Sequence, residues 1–199
     1  MAKLYFRYGT MNSAKTANLM MVAHNYMRQN KRVIILSPAR DSRKDSALTI
    51  RSRAIAEPLP CFSIADTENI FDIIQHEHRD NKIYAVLVDE AQFFTAAHIK
   101  ELTLVVDQLS IPVLCYGLRC SYMDGRLFEG SAALLYWADS IEEIKTTCEF
   151  CNKKATQNLL RINGIPQYGG ESTTVMGDIE GVDLVFSSVC RIHYLNPPI

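Results

Sequence analysis

Strand-length apolar runs alternate with helical repeats over the first 146 residues of the chain. The runs that predict strands lie at residues 3–7, 32–37, 83–88, 112–117 and 140–146. Apolar residues at helical spacing predict helices at 19–28, 70–74, 95–109 and 132–137, the second of them capped by Asp66 or Thr67. Near-continuous apolar strands alternating with helices indicate an α/β fold, a parallel sheet covered on both faces. We interpret the polar, basic stretch 39–60 as a loop.

The chain changes in character from about residue 147. Apolar residues become sparser, glycines recur between Gly164 and Gly181, and two cysteine clusters bracket the segment. A segment of this size with few apolar residues needs a metal or another staple to support its core. We therefore predict two domains, an α/β domain over residues 1–146 and a small module over residues 147–199.

Residues 9–16 read Gly-Thr-Met-Asn-Ser-Ala-Lys-Thr, a phosphate-binding loop in which Ala14 replaces a glycine. In such a loop backbone N–H groups surround the phosphates, Lys15 reaches the β- and γ-phosphates, and the Thr16 hydroxyl ligates Mg²⁺. The loop follows a predicted strand and opens a predicted helix, as this mechanism requires. A polar turn that happens to hold a lysine is the alternative. Ala14 either fits the loop because its φ is helical, or weakens nucleotide binding, and the sequence leaves both open.

Asp89 and Glu90 follow the apolar strand 83–88 directly. A buried strand that ends in acids brings a carboxylate to the sheet edge opposite the phosphate loop. Asp89 is predicted to hold Mg²⁺, through water, and Glu90 to act on the nucleophile. A plain strand end followed by a helix-capping acid is the alternative.

Three cysteines and one histidine form two pairs with metal-ligand spacing, Cys148-x-x-Cys151 and Cys190-x-x-His193. Three thiolates and one imidazole complete a tetrahedral Zn²⁺ site, which makes the predicted site structural. A redox Cys-x-x-Cys is the alternative, but it explains neither Cys190 nor His193. The three cysteines without such a pattern are interpreted as packing residues, and four histidines as surface residues: Cys61, Cys115 and Cys120; His24, His76, His78 and His98.

Composition and charge narrow the classes of partner. The formal net charge is −1, which does not favour a nucleic-acid or membrane-surface partner. No apolar run approaches the length of a membrane-spanning helix, and the N-terminus lacks the pattern of a secretory leader. We expect a cytoplasmic protein with reduced cysteines and with no nucleic-acid or membrane partner.

In their order along the chain these motifs resemble those of the type II thymidine kinases, the cytosolic zinc-containing class. Three segments carry the resemblance: 9–16, 89–93 (Asp-Glu-Ala-Gln-Phe) and 188–194 (Ser-Val-Cys-Arg-Ile-His-Tyr). Asp41-Ser42-Arg43 and Gly117-Leu118-Arg119 are similar to two further family elements, although a solvated basic loop is the alternative for the first. The resemblance implies a RecA-like P-loop fold and transfer of phosphate from ATP to thymidine.

The resemblance also implies roles for individual residues. Glu90 corresponds to the general base for the 5′-hydroxyl, Thr16 and Asp89 to the Mg²⁺ site, and Arg43 to a residue that steadies the transferred phosphoryl group. The nucleotide would be held by Gly9, Thr10, Met11, Asn12, Ser13, Ala14, Lys15, Thr16, Asp41, Arg43, Asp89 and Gln92. The apolar thymine pocket would consist of Met11, Phe93, Leu118, Tyr122, Phe128 and Phe186. A lasso loop before the last zinc ligands would cover the nucleoside.

Family resemblance further implies a homotetramer that is inhibited by thymidine triphosphate. The chain departs from the family pattern at Ala14, at one extra residue between Leu118 and Phe128, and in the long stretch 177–186. Phe186 stands where a tyrosine is usual. Two other classes stay open, a helicase-like or recombinase-like ATPase and a zinc-bearing nucleotide-binding protein without turnover.

Overall fold

Six parallel strands form the main sheet of the computed structural model, which describes residues 1–39, 49–123, 125–169 and 183–198. Their spatial order is β5-β2-β6-β7-β1-β8. The bounds are β1 Leu4–Tyr8, β2 Val33–Pro38, β5 Phe62–Ile64, β6 Ala85–Val88, β7 Val113–Gly117 and β8 Ser140–Glu143. The predicted α/β fold with a parallel sheet is confirmed.

Helices cover both faces of this sheet. Their bounds are α1 Lys15–Met27, α2 Ile70–Asp80, α3 Ala96–Leu109 and α4 Glu129–Trp137. Along β6, Val86 and Val88 pack with α2, α3 and α4, whereas Leu87 packs with α1 on the opposite face. Strand residues alternate between the two faces, so a strand buried on both sides must be apolar at every position, as β6 is.

The parallel register brings three chain segments to one edge of the sheet. Tyr8 of β1 lies opposite Gly117 of β7, and Val88 of β6 lies opposite Cys115 of β7. The residues that follow β1, β6 and β7 therefore emerge side by side at the carboxyl ends of the strands. This edge is where open α/β sheets bind ligands.

The interpretation of the stretch 39–60 as a loop was wrong for its second half. An antiparallel hairpin is formed there by β3 Thr49–Ser52 and β4 Ile55–Pro60, and it packs near α1. Prolines at 58 and 60 argue against a strand in a sheet interior, but a two-stranded hairpin has only edge strands, which tolerate proline. Residues 40–48 lie outside the described part of the chain.

A second, antiparallel sheet occupies the C-terminal region. It has the order β10-β9-β11, with β9 Gln157–Ile162, β10 Ile165–Gln167 and β11 Leu184–Val189, and the short helix α5 Arg191–Leu195 follows. Among its described residues, one small hydrophobic cluster has five buried members, Cys148, Leu159, Val189, Cys190 and Tyr194. Two of these five residues are predicted zinc ligands, so apolar packing alone gives this region little support. The boundary at residue 146 stays a prediction.

Local predictions differ from the structure at two places. The side chain of Asn69, rather than Asp66 or Thr67, caps α2 by accepting from the backbone N–H of Asp72. His98 is buried, and its Nε2 lies 3.0 Å from the carbonyl oxygen of Glu68, so its interpretation as a surface residue was wrong. Within the described residues, every helix is too short or too polar to cross a membrane.

Candidate active site

The phosphate loop is built around a close packing that only glycine permits. The Gly9 N–H donates to the carbonyl of Gly117 at 3.2 Å, which fixes the start of the loop against β7. A Cβ on Gly9 would lie 2.3 Å from Ser13 Oγ and 2.8 Å from the Ile144 carbonyl oxygen, both far inside van der Waals contact. The prediction that Gly9 belongs to a tight loop between β1 and α1 therefore agrees with the geometry.

Ala14 adopts the backbone conformation that glycine would adopt more easily. It is the N-cap of α1, with φ 59° and ψ 30°. This is the left-handed region, so the hypothesis that Ala14 fits because its φ is helical was wrong. Left-handed backbone costs an L-residue with a Cβ roughly 1–2 kcal/mol, whereas glycine adopts it freely. The loop therefore stores strain at the position where the motif normally has glycine.

We expect Ala14→Gly to raise the free energy of unfolding by about 1 kcal/mol. Alanine restricts the unfolded chain more than glycine does, which favours folding, but the strain of an alanine at positive φ outweighs that advantage. Urea denaturation measured by circular dichroism checks the result. Ala23→Gly is the matched control, since Ala23 is buried inside α1 and the same change there should cost about 1 kcal/mol. A loss of stability in both variants would contradict the strain at Ala14.

Lys15, Thr16 and Asp89, three of the residues predicted to hold nucleotide and Mg²⁺, come together at the loop. The Thr16 Oγ1 donates to the Asp89 carboxylate, 3.2 Å from Oδ1 and 3.3 Å from Oδ2. The Lys15 ammonium donates to the Thr10 carbonyl at 2.7 Å, so the lysine folds over the loop. A hydroxyl beside a carboxylate at the start of a helix is a donor set that suits Mg²⁺, which prefers oxygen ligands. The predicted pairing of Thr16 with Asp89 therefore has the required geometry.

Two buried hydroxyls in the loop have no hydrogen-bond partner within the described protein atoms. They are Thr10 Oγ1 and Ser13 Oγ, on side chains that are 7% and 5% exposed. Buried polar groups are almost always paired, so these hydroxyls fit a polar ligand at the loop. An anion such as a phosphate supplies that acceptor, and the N-terminus of α1 favours it.

Glu90 is held by a chain of hydrogen bonds that ends at Leu118, the residue after β7. The Gln92 Nε2 donates to Glu90 Oε2 at 2.6 Å, and the Leu118 N–H donates to Gln92 Oε1 at 2.9 Å. Gln92 is 1% exposed, so its amide orientation is fixed by both bonds. A Cβ on Gly117 would lie 2.7 Å from Gln92 Oε1, which accounts for the glycine at that position. Glu90 itself has φ 48° and ψ 41°, a strained conformation of the kind that clusters at functional sites.

The predicted thymine-pocket residues form two aromatic pairs. Phe93 and Phe128 meet edge to face with ring centroids 5.3 Å apart, and Tyr122 and Phe186 meet in the same way at 6.0 Å. All four rings are half-buried, so each keeps apolar surface that a flat base could cover. The placement of Tyr122, left open by the extra residue after Leu118, is therefore next to Phe186.

The four predicted zinc ligands converge in space. The ligand atoms of Cys148, Cys151, Cys190 and His193 all lie within 4.8 Å of one another. Cys151 Sγ and Cys190 Sγ are 3.9 Å apart, and Cys148 Sγ is 3.3 Å from His193 Nδ1. A tetrahedral Zn²⁺ with ordinary bond lengths requires roughly 3.8 Å between sulfurs and roughly 3.6 Å between sulfur and nitrogen. The residues therefore fit zinc.

The thiol of Cys148 is also poised to ionise. Burial acts to raise its pKa. This is outweighed by hydrogen bonds from the backbone N–H of Cys190, the His193 ring, the backbone N–H of Phe150 and the Cys151 thiol, and the pKa is lowered to about 6. Because thiolates are the form that binds metal, this environment suits a zinc ligand.

Comparison with known proteins agrees with this site. The sequence model of the thymidine kinase family matches residues 2–194. The chain belongs to the thymidine kinase family. A thymidine kinase from Lactiplantibacillus plantarum is 45% identical over 200 residues, covering 100% of this chain and 98% of that protein. A thymidine kinase from Streptococcus agalactiae serotype Ia is 42% identical over 199 residues and covers 100% of both chains.

Among solved structures, a Pif1 helicase from Candida albicans has a TM-score of 0.41 and 11% identity to this thymidine kinase family member. The similarity covers 72% of this chain but only 36% of the helicase. A likeness at this level carries no argument about function. Asp41 and Arg43, and the lasso residues 177–182, lie outside the described residues.

Two site residues were missed by sequence reasoning. The side chains of Asn158 and Ser188 are hydrogen-bonded to Met11 of the phosphate loop. Ser188 opens a segment that resembles the thymidine kinase pattern, which could have drawn attention to it. Asn158 lies 147 residues from Met11 in sequence and belongs to no motif, so nothing in the sequence pointed to it.

Proposed function

We propose that this chain phosphorylates the 5′-hydroxyl of thymidine with ATP, and that Glu90 is the general base. The reaction follows from membership of the thymidine kinase family. The assignment of the base is supported by one observation above all, the Gln92 side chain that joins Glu90 to the backbone of Leu118. A base held in one orientation can accept a proton without first paying the entropy of ordering itself.

In the proposed reaction, a Glu90 carboxylate oxygen accepts the proton of the 5′-hydroxyl as the hydroxyl oxygen attacks the γ-phosphorus. The bond from the γ-phosphorus to the bridging oxygen breaks, and ADP leaves with that oxygen. Lys15 and Arg43 are proposed to stabilise the charge on the transferred group. Mg²⁺ neutralises phosphate charge when bound, and Thr16 and Asp89 are the residues that would hold it.

Thymidine is proposed to lie between the two aromatic pairs and Leu118, with Met11 closing the pocket. This proposal is supported by the half-buried rings of both pairs, whose apolar faces suit stacking against a flat pyrimidine. The extra methyl group of thymine would gain apolar contact there, which favours thymidine over nucleosides that lack it by at most a modest factor.

The C-terminal region is proposed to be a zinc-stapled module over residues 147–199, separate from the α/β domain over residues 1–146. Family resemblance supports three further properties that we propose for the chain: a homotetramer, inhibition by thymidine triphosphate, and a cytoplasmic location. Size-exclusion chromatography with light scattering tests the first of these directly.

The function is tested by ADP release from ATP with and without thymidine. We expect release to require thymidine and to yield thymidine monophosphate. The matched control is 5′-deoxythymidine, which has the same base but lacks the attacked hydroxyl and should give no release. Release that is indifferent to thymidine but stimulated by single-stranded DNA would favour a helicase-like ATPase instead, and nucleotide binding without turnover would favour a non-catalytic protein.

A further inference from the structure

The phosphate loop is hydrogen-bonded to the C-terminal sheet through both backbone groups of one residue, Met11. The Met11 N–H donates to Asn158 Oδ1 at 2.8 Å, and the Ser188 hydroxyl donates to the Met11 carbonyl. Both polar groups of this residue's backbone are therefore satisfied by side chains from β9 and β11. Met11 lies in the middle of the loop, between Gly9 and the start of α1.

Asn158 and Ser188 act from one place on the C-terminal sheet. They lie directly opposite each other in the antiparallel register of β9 and β11. Asn158 is 2% exposed and Ser188 is 3% exposed. Hydrogen bonds formed away from water are stronger than exposed ones and costly to leave unmade.

Each of the two residues is itself held by further contacts. Asn158 Nδ2 donates to the Cys120 carbonyl at 3.3 Å, so its amide can take only one orientation if both bonds are to form. The backbone of Ser188 is tied to Glu149, whose N–H donates to the Ser188 carbonyl at 3.0 Å and whose Oε1 accepts from the Ser188 N–H at 3.2 Å. Glu149 lies between Cys148 and Cys151. The position of the loop is therefore linked to the fold of the C-terminal region.

We propose that Asn158 and Ser188 are positioning residues that hold the phosphate loop in its ATP-binding conformation before ATP arrives. The proposal rests on the proposed function, since it takes residues 9–16 to bind ATP. A loop that spends only part of its time in the competent conformation binds with an affinity reduced by that fraction. The loop is in need of such support because Asn12 and Ala14 both have positive φ.

The test is ATP binding by calorimetry, with Mg²⁺ and without thymidine, to the full-length chain. Ser188→Ala removes one hydrogen bond and is expected to weaken ATP binding roughly fivefold. Asn158→Leu keeps a side chain of similar volume but removes two hydrogen bonds. It is expected to weaken ATP binding roughly tenfold or more. The double variant should lose less ATP affinity than the product of the two single losses, since both side chains hold the backbone of one residue.

Ser187→Ala is the matched control. Ser187 is 1% exposed and lies next to Ser188 on β11, but successive strand residues face opposite sides of a sheet. ATP binding within twofold of the unmodified chain is expected for this variant. A loss of ATP affinity in Ser187→Ala as large as that in Ser188→Ala would overturn the proposal, because it would reflect general damage to the sheet.

Steady-state kinetics distinguish a positioning role from a purely structural one, because the two roles affect KM for ATP and kcat differently. The KM for ATP should rise in Ser188→Ala while kcat at saturating ATP stays within about threefold, since bound ATP itself orders the loop. Unchanged ATP binding in a folded Ser188→Ala variant, or a fall in kcat alone, overturns the proposal. A chain that never phosphorylates thymidine but loses ATP affinity in Ser188→Ala would overturn the proposed function and leave this inference standing.

Discussion

Replacing Glu90 with glutamine is expected to lower kcat for thymidine phosphorylation about a thousandfold, within the range of a positioned general base. The substitution keeps the shape of the side chain, and the Gln92 amide, which donates to Glu90 Oε2 at 2.6 Å, still finds an oxygen acceptor. What is lost is the ability to accept a proton from the 5′-hydroxyl. Steady-state assays at saturating ATP and thymidine measure the effect.

ATP binding separates this loss from damage to the fold. The dissociation constant of ATP without thymidine should change less than twofold in Glu90→Gln, because the phosphates are proposed to contact the loop 9–16 and not Glu90. Glu57→Gln on the exposed strand β4 is the control for removing one carboxylate from the protein and should leave kcat unchanged. If Glu90→Gln keeps more than a tenth of the activity, Glu90 is not the general base.

The parts of the site that the sequence predicted are those whose geometry is local. Thr16 follows Lys15 at the start of a helix, and Asp89 follows a buried strand, so the parallel sheet alone brings the two to one edge. The Cys-x-x-Cys and Cys-x-x-His spacings each place two ligands on one turn. In these cases the backbone between the residues is short, and few conformations are compatible with the pattern.

The parts that the sequence could not predict depend on contacts between distant segments or on a single backbone angle. Met11 meets Asn158 across 147 residues, and each of the two aromatic pairs joins residues that are far apart in sequence. Ala14 is the example of dependence on a single backbone angle. The identity of the residue does not reveal its φ, and only the folded loop shows that its backbone is left-handed. The hairpin β3–β4 was missed because its prolines and charges are typical of a loop, and an edge hairpin accommodates both.

The residues that the sequence predicted and those that it could not predict meet at the phosphate loop. The α/β sheet supplies the loop and the acids, and the C-terminal region supplies the side chains that hold Met11. ATP binding should therefore depend on whether the C-terminal region is folded, although that region contributes no predicted contact with the phosphates.

Replacing Cys190 with serine is expected to abolish zinc binding and unfold the C-terminal region. The hydrophobic cluster that the described residues of this region form has five buried members, and Cys190 is one of them. Structural zinc contributes roughly 10 kcal/mol or more to small zinc modules at neutral pH, far more than such a core can replace. Zinc content by mass spectrometry and protection of residues 147–198 from limited proteolysis measure the two effects.

The same variant should bind ATP more than tenfold more weakly, because Asn158 and Ser188 can hold the loop only when β9 and β11 are formed. Cys120→Ser is the matched control, since Cys120 is a half-buried cysteine outside the cluster and its loss should leave the zinc content at one per chain. A Cys190→Ser protein that retains zinc would show that the ion is held elsewhere. A zinc-free protein with an intact, protease-resistant C-terminal region would show instead that hydrogen bonding and packing are enough to fold this region without zinc.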